Sequence, residues 1–319
     1  MANDFSADPR VKALYRFENN LDDSKGGNHL TDHNTVGFTS ADKKEGSYAA
    51  DFEKDNAEWG SRPDSQLDVG FPLKSGDAVK KIAVCFWIKP ESYISSGYLV
   101  AKYDTNGRRS FAIVRDVVTL KLYCGYNNGD SAEIIDTGYF TDNSEWYHVG
   151  VSLDGVNRTA YIRVFRASNS TVTEYFKTFA NPLHVEDADF TIGARHDGDA
   201  SYCHDGLLDE VVVFNELLTA KEIDAIRSGT YSYPMTEVRV ETAGAQVAYT
   251  DQDAFVRVDD AGFMAAYGLF AEIGEVQVNA GGLMVAYGVA PPPRRIFPVP
   301  QPQVRWQSHF GKRKFPVVG

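Results

Sequence analysis

The sequence predicts an all-β protein: an antiparallel jelly-roll sandwich with one short helix, then a small β-hairpin repeat module and an extended tail. Short alternating segments separated by Asp-Gly and Asn-Gly turns are typical of strands and hairpins. A single segment, 218–229, has the pattern of a helix. Formal net charge is −12 over residues 1–233, −6 over 234–290 and +6 over 291–319. We therefore place the sandwich, the repeat module and a Pro-rich basic tail in these three ranges.

Composition restricts the class of protein further. The chain is 43% hydrophobic and 13% aromatic, which is typical of a folded globular protein. No apolar run approaches the roughly 18 residues of a membrane helix, and the polar start MANDFSADPR does not resemble a secretory signal. The net charge of −12 argues against nucleic acid as a partner. The three scattered cysteines are expected to be buried or idle thiols.

Two segments give the clearest predictions of secondary structure, one of a strand and one of a helix. Residues 81–90, KIAVCFWIKP, are apolar on both alternating faces, which predicts a central strand covered on both sides. In the helix, Thr219 is the expected N-cap and Glu222 completes a capping box. Ile223 and Ile226 then face inward, and Gly229 stands at the expected stop.

The order of several segments resembles that of the laminin-G-like, concanavalin A-like jelly-roll domains over roughly residues 8–233. The segments are ALYRFENNLDDSKGGNHL, GSYAADFEKD, IAVCFWIKPE, WYHVGVSLDG, FTIGARHDG and GLLDEVVVFNELLTAKEIDAIRSG. One feature departs from the family pattern: where members often have a Tyr-Val-Asp-Gly turn, this chain has YIRVFRASNS (161–170). We expect that turn to be remodelled.

Catalytic motifs are missing from the sequence. Some glycosidases of the same architecture carry a Glu-x-Asp-x-x-Glu strand, and the nearest match, EIDAIR (222–227), lies on the predicted helix. The chain also has no G-x-S-x-G nucleophile elbow. We therefore predict a protein that is not an enzyme and has no catalytic residues, with a cryptic glycosidase as the alternative.

A calcium site is one expectation that the resemblance implies. The loop LDDSKGGNH (21–29) offers hard oxygen ligands of the kind that Ca²⁺ prefers. In laminin-G-like relatives such a loop often holds a structural Ca²⁺ together with the acid of the LDE segment. Carried over to this chain, the ligands are Asp23, Asn28 and Asp209. The alternative is a plain turn in which Asp and Asn bind their own backbone.

Glycan binding is the second expectation from the resemblance. Sugars need aromatic faces for their apolar side and planar polar groups for their hydroxyls. Aromatic and basic residues on predicted loops could supply these groups, and the selected set is Trp59, Tyr103, Arg195, Tyr202 and His204. The alternative is that these side chains only cover the edges of the sandwich.

A repeat follows the sandwich. Segments 238–249, 256–267 and 276–287 share the pattern V-x-V-x-x-x-G-x-x-x-A-Y. The alternating valines indicate a strand and the glycine a turn, so each unit is predicted to be a hairpin of about twelve residues. A lone hairpin is marginal in water, so the units must pack on neighbours or on another chain. The expected assembly interface comprises Val238, Val256, Val276, Tyr249, Tyr267 and Tyr287. A meander that completes the sandwich is the alternative.

The tail, 290–319, combines prolines with basic and aromatic side chains, which suits an extended anchor. Phe297, Trp306 and Phe310 are its expected anchor residues, and a disordered basic tail is the alternative. The repeats resemble short tandem units in virion structural proteins of tailed bacteriophages. We therefore expect a homo-oligomeric virion protein, assembled in the host cytoplasm, whose outer domain binds host glycans. The alternative is a carbohydrate-binding module of a bacterial extracellular glycan-utilisation system.

Overall fold

The structure is a computed structural model of the 319-residue chain. It describes residues 3–92, 96–126, 131–139 and 144–233, together with six strands between residues 238 and 287. The chain divides into two compact units, Met1–Tyr233 and Pro234–Gly319, and each is described by itself. Among the described residues, no helix is long and apolar enough to cross a membrane.

The first unit is a sandwich of two antiparallel sheets, as predicted. Its strands in chain order are β1 (Val11–Tyr15), β2 (Thr31–His33), β3 (Gly37–Thr39), β4 (Ala49–Phe52), β5 (Trp59–Arg62), β6 (Lys81–Pro90), β7 (Gly97–Tyr103), β8 (Arg109–Asp116), β9 (Thr119–Tyr126), β10 (Ser131–Tyr139), β11 (Tyr147–Asp154), β12 (Thr159–Arg166), β13 (Thr171–Thr178), β14 (Phe190–Ile192) and β15 (Gly206–Phe214). Short 3₁₀ helices span Lys54–Asn56, Asp64–Gln66 and Ala200–Tyr202.

Strand order brings distant parts of the chain together. The eight-stranded sheet runs β13-β12-β11-β6-β15-β4-β3, with β1 also paired to β15. The seven-stranded sheet runs β10-β9-β8-β7-β14-β5-β2. Strands far apart in sequence are therefore neighbours, as in a jelly roll.

The main core lies between the two sheets, and β6 shows how the sequence builds it. Phe86 and Ile88 face the core, and Phe111 and Ile113 of β8 pack in the same cluster from the other sheet. On the opposite face of β6, Cys85 lies in a second cluster. The predicted central strand, covered on both sides, is confirmed. All three cysteines are buried and free, as expected.

Helix α1 (Ala220–Arg227) covers that outer face of β6 and β11. Thr219 accepts a hydrogen bond from the Glu222 amide, and the Glu222 side chain accepts one from the Thr219 amide, so the predicted capping box is present. Ile223 and Ile226 are buried. A Cβ on Gly150 of β11 would lie 2.5 Å from Ile223 Cγ2. Glycine at this position therefore allows the helix to pack closely against the sheet.

The region of the unusual turn forms a long hairpin. Strands β12 and β13 pair along their full length, from Thr159↔Thr178 to Arg166↔Thr171. Ser170 adopts a φ of 56° just before β13 begins. Strand β13 is the edge strand of this sheet, and it carries Phe176 with 69% of its surface exposed. Whether this turn is remodelled relative to the family stays a prediction.

The second unit corrects the hairpin prediction. Its strands are β16 (Val238–Val240), β17 (Ala245–Thr250), β18 (Val256–Val258), β19 (Phe263–Gly268), β20 (Val276–Val278) and β21 (Leu283–Tyr287). They form two three-stranded sheets, β16-β18-β20 and β17-β19-β21, and every pairing is parallel. Each strand therefore pairs with its counterpart in the next repeat rather than with the return strand of its own repeat.

Candidate functional site

Tyrosines and arginines gather on the outer face of the seven-stranded sheet. Along β7 and β8, residues that face the core alternate with residues that face outward. The outward-facing residues include Ala101, Tyr103, Ala112 and Val114, and they form a separate cluster. Because Ala101 and Ala112 are small, they leave space above the sheet for aromatic rings. Tyr202, from the loop after β14, packs against the same cluster. We call Tyr98, Tyr103, Tyr123, Tyr202, Arg109 and Arg195 the tyrosine–arginine surface.

The four tyrosine rings contact one another in a compact set. The Tyr98 ring lies 5.7 Å from that of Tyr103, 6.3 Å from that of Tyr123 and 6.0 Å from that of Tyr202. Tyr98 and Tyr103 form the base, with 4% and 7% of their surface exposed. Tyr123 and Tyr202 are partly exposed and form the upper layer. A ligand at this surface would therefore meet Tyr123 and Tyr202 first.

Two guanidinium groups lie on these rings. The Arg195 Cζ is 3.5 Å from the Tyr202 ring centroid, and the Arg109 Cζ is 5.2 Å from that of Tyr103. Arg195 is fixed by two hydrogen bonds to Asp197, from Nε at 3.0 Å and Nη2 at 2.6 Å. Such bidentate and stacked contacts hold a planar donor group in one orientation.

The charges of the surface follow from burial and pairing. Burial raises the pKa of Tyr98 and of Tyr103, so both phenols stay neutral at physiological pH. Partial burial acts to raise the pKa of Asp197, but hydrogen bonds and the positive charge of Arg195 lower it below its usual value. The surface therefore offers neutral hydroxyls and one internally paired arginine–carboxylate.

Trp59 lies near this surface as part of a different aromatic group. Its ring stacks on His33 with centroids 4.0 Å apart and planes 9° apart. A Cβ on Gly198 would lie 2.7 Å from the Trp59 Nε1, so the loop that carries Arg195 also packs over Trp59. Trp59 is buried, and its position favours a role in supporting this loop.

The prediction that His204 binds glycan is corrected, because this side chain cannot contact a ligand at the surface. It is fully buried, with its ring 6.3 Å from that of Phe52 in the core. Burial lowers its pKa to about 3, so it stays neutral. Of the predicted glycan residues, the structure brings together Tyr103, Arg195 and Tyr202. Tyr123 was missed, although the alternation of TLKLYCGY places it opposite the inward Leu122 and Cys124.

The residues of the predicted calcium site are engaged by N–H donors. Asp23 accepts hydrogen bonds from the amides of Leu14, Lys25 and Asn28. Asn28 directs its Nδ2 toward Asp23 Oδ2 and accepts at Oδ1 from the Asp68 amide. An amide nitrogen aimed at the carboxylate does not suit a cation site. The calcium site stays a prediction, and the contacts of Asp23 and Asn28 do not favour it.

Asp209, the third predicted ligand, lies fully buried on β15. Its Oδ2 accepts hydrogen bonds from the amides of Lys44 and Glu45, at 2.7 and 3.0 Å. Burial raises its pKa to about 7. These bonds attach the 44–45 loop to the sheet, so Asp209 stabilises the loop through hydrogen bonds that need no metal.

A separate carboxylate group was not anticipated. Oxygens of Asp51, Glu53 and Glu91 lie within 4.8 Å of one another. Burial and the negative charge of neighbouring carboxylates raise the pKa of each. Exposed acidic groups of this kind are common without a metal.

The predicted assembly residues fall in the second unit. Val238, Val256 and Val276 occupy matching register positions, and so do Tyr249, Tyr267 and Tyr287. The tail residues Phe297, Trp306 and Phe310 lie outside the described residues.

Comparison with known proteins gives the family. The Laminin_G_3 family model, described as the concanavalin A-like lectin/glucanases superfamily, matches residues 64–224. No curated protein matches the chain.

Several solved structures are similar to parts of the chain. The binding domain of botulinum neurotoxin DC in complex with SialylT is 10% identical, with a TM-score of 0.48, over 70% of this chain and 52% of that one. The chain thus spans about half the length of that structure. The SAP-like pentraxin from Limulus polyphemus is 20% identical, with a TM-score of 0.35, over 47% of this chain and 70% of that one. From the family match, which covers half of its length and confirms the resemblance described above, the chain belongs to the Laminin_G_3 family of the concanavalin A-like lectin/glucanase superfamily.

Proposed function

We propose that the first unit is a glycan-binding domain and that its ligand lies on the tyrosine–arginine surface. The observation that carries the proposal is the packing of four tyrosine rings and two guanidinium groups on one sheet face. The partly exposed rings of Tyr123 and Tyr202 suit the apolar face of a sugar. The phenol hydroxyls and the Arg109 guanidinium supply donors for sugar hydroxyls.

The proposed role is binding without hydrolysis. Cleavage of a glycosidic bond needs two carboxylates on either side of it. At the tyrosine–arginine surface, Asp197 is held by Arg195 in two hydrogen bonds, so this carboxylate is committed to positioning the guanidinium. Bound glycan is therefore expected to be recovered intact after prolonged incubation with the protein.

A glycan array probed with the full chain tests the proposal. Tyr202→Ala removes one of the two upper rings and is expected to weaken binding by about tenfold, which corresponds to ~1.4 kcal/mol. Phe176→Ala is the matched control, because Phe176 is an exposed aromatic residue on the other sheet. The wild-type chain and Phe176→Ala should bind the same glycans equally. Absence of any bound glycan, or equal loss in both variants, contradicts the proposal.

We also propose that the chain is a structural subunit of a phage particle that displays this domain, with residues 234–319 as the attachment part. The tandem repeat supports this role, since each of its units is too small to form a core alone. Mass spectrometry of purified particles is the test. Recovery of the chain in fixed ratio to capsid proteins supports the role. Recovery only as a secreted soluble protein favours a carbohydrate-binding module.

A further inference from the structure

Among the described strands, each of the two sheets of the second unit ends in an edge with no neighbouring strand. In the first three-stranded sheet Val238, Val256 and Val276 are in register, and in the second Tyr249, Tyr267 and Tyr287 are. Within the described strands, β16 and β17 lie at one end of the stack, and β20 and β21 lie at the other. In the part of the second unit that the structure describes, each of these end strands pairs on one side only, so its other side offers backbone N–H and C=O groups to a further strand.

The residue pattern does not change at the last repeat. Val276 and Val278 repeat the valines at 256 and 258, and Ala286-Tyr287 repeats Ala266-Tyr267. Stacked repeats that end in solvent normally carry an atypical, polar terminal unit. The third repeat instead has the residues of an internal one, so its sequence suits continued stacking.

The chain's own neighbouring residues are poor candidates for the next strand. Pro291, Pro292 and Pro293 follow the third repeat, and Pro234 precedes the first. Proline has no N–H to donate to a ladder and is excluded from the interior of a sheet. No fourth copy of the full V-x-V-x-x-x-G-x-x-x-A-Y pattern stands on either side in the sequence. The strand that best matches the open edge is therefore the first repeat of another molecule.

We propose that the third repeat of one molecule pairs in parallel with the first repeat of a second copy of this chain, β20 beside β16 and β21 beside β17. Both sheets then continue through the junction with the register that they have inside one molecule. The proposal does not depend on glycan binding. It is tested on the purified chain alone, so its outcome is separate from that of the virion proposal.

Charge favours this head-to-tail junction over a symmetric junction between two first repeats. Arg239, Arg257 and Gln277 occupy the same register position in successive repeats. The proposed junction places the neutral Gln277 beside Arg239 of the next copy. A junction between two first repeats would place Arg239 beside Arg239, and like charges at facing positions destabilise a sheet. Since the two ends of the stack differ, association produces an open chain or a closed ring.

Cysteine cross-linking tests the register. Arg239→Cys and Gln277→Cys are made as separate full-length variants, mixed, and treated with a thiol cross-linker of about 5 Å, the spacing of paired strands. The native cysteines are buried, and the wild-type chain measures their background. A product of twice the chain mass is expected from the mixture and from neither variant alone. No product from the mixture, or equal product from Gln277→Cys alone, overturns the proposal.

A charge exchange provides a second test that needs no cross-linker. Gln277→Arg should weaken self-association, measured by light scattering over a range of concentrations, by up to about fivefold. Part of that loss could arise inside one molecule, because residue 277 also neighbours Arg257. Adding Arg239→Gln removes the like charge at the junction, so the double variant should recover association. Because Arg239 also neighbours Arg257 inside one molecule, Arg239→Gln alone is measured as the control for the intramolecular effect. A wild-type chain that stays monomeric at all concentrations, or a double variant no better than Gln277→Arg, contradicts the junction.

Discussion

Replacing Lys102 with methionine is expected to cost the first unit a large part of its stability. Lys102 of β7 is fully buried, forms an ion pair with Asp64, and donates from Nζ to the Ala188 carbonyl at 2.6 Å. One side chain therefore joins the sheet to two loops. Methionine has a similar length but leaves the buried Asp64 carboxylate without its cation. Breaking a buried pair in this way costs about 3–5 kcal/mol, a large share of the roughly 5–15 kcal/mol that stabilises a domain.

Urea unfolding of the full chain, followed by tryptophan fluorescence, measures this loss. The control is Lys81→Met, because the Lys81–Glu216 pair has the same chemistry at 2.7 Å but both side chains are partly exposed. An exposed pair contributes about 0–1 kcal/mol. If the two variants lose equal free energy of unfolding, burial does not make the Lys102 pair special and the reasoning fails.

Four further outcomes are expected. Thr219→Ala removes the cap of α1 and should lower the free energy of unfolding by about 1 kcal/mol, with Thr219→Ser retaining most of it. Gly150→Val places atoms where the Ile223 side chain lies and should cost about 1–3 kcal/mol in the same assay. Burial lowers the pKa of His148 from 6.5 to about 3, so the fold loses stability as pH falls below 6.5. His148→Gln should flatten that slope by up to ~1.4 kcal/mol per pH unit, and equal slopes would contradict the assignment. Because Asp23 and Asn28 are engaged by N–H donors, a calcium chelator should leave the melting temperature unchanged, and a clear decrease would support the calcium prediction.

Local sequence patterns were sufficient to predict the sandwich and its helix. The two apolar faces of 81–90 require cover on both sides, and β6 has the core on one side and α1 on the other. The Thr219–Glu222 capping box acts over three residues, so the sequence alone specifies it. Strand β13 is different, because it is exposed on both faces along most of its length and has no burial pattern to recognise.

The repeat shows the limit of such patterns. A V-x-V strand buries the same face whether it pairs with its own return strand or with the next repeat. Alternation specifies which residues share a face, and it does not specify the partner strand. The parallel pairing of Val238 with Val256 is a relation between repeats, so inspection of one twelve-residue unit could not find it.

The candidate site was only partly predictable, because a sequence shows residue types but does not show which distant residues are neighbours in the fold. Tyr103, Arg195 and Tyr202 come together because the loop after β14, which carries Arg195 and Tyr202, runs beside Tyr103 of β7, where the His196 amide donates a hydrogen bond to the Tyr103 carbonyl. Their residue types suggested a sugar site, but only the fold shows that they are neighbours. His204 belongs to the same loop, yet its ring lies in the interior beside Phe52, where its amide donates a hydrogen bond to the Gly193 carbonyl.

The central claim is that the first unit binds glycan on the tyrosine–arginine surface. The most direct measurement is a crystal structure of the full chain with the best ligand from the array. The account predicts a sugar ring within about 4 Å of the Tyr123 or Tyr202 ring, with a hydroxyl in hydrogen-bonding distance of Arg109. Well-defined sugar bound elsewhere, with these rings unoccupied, would contradict it.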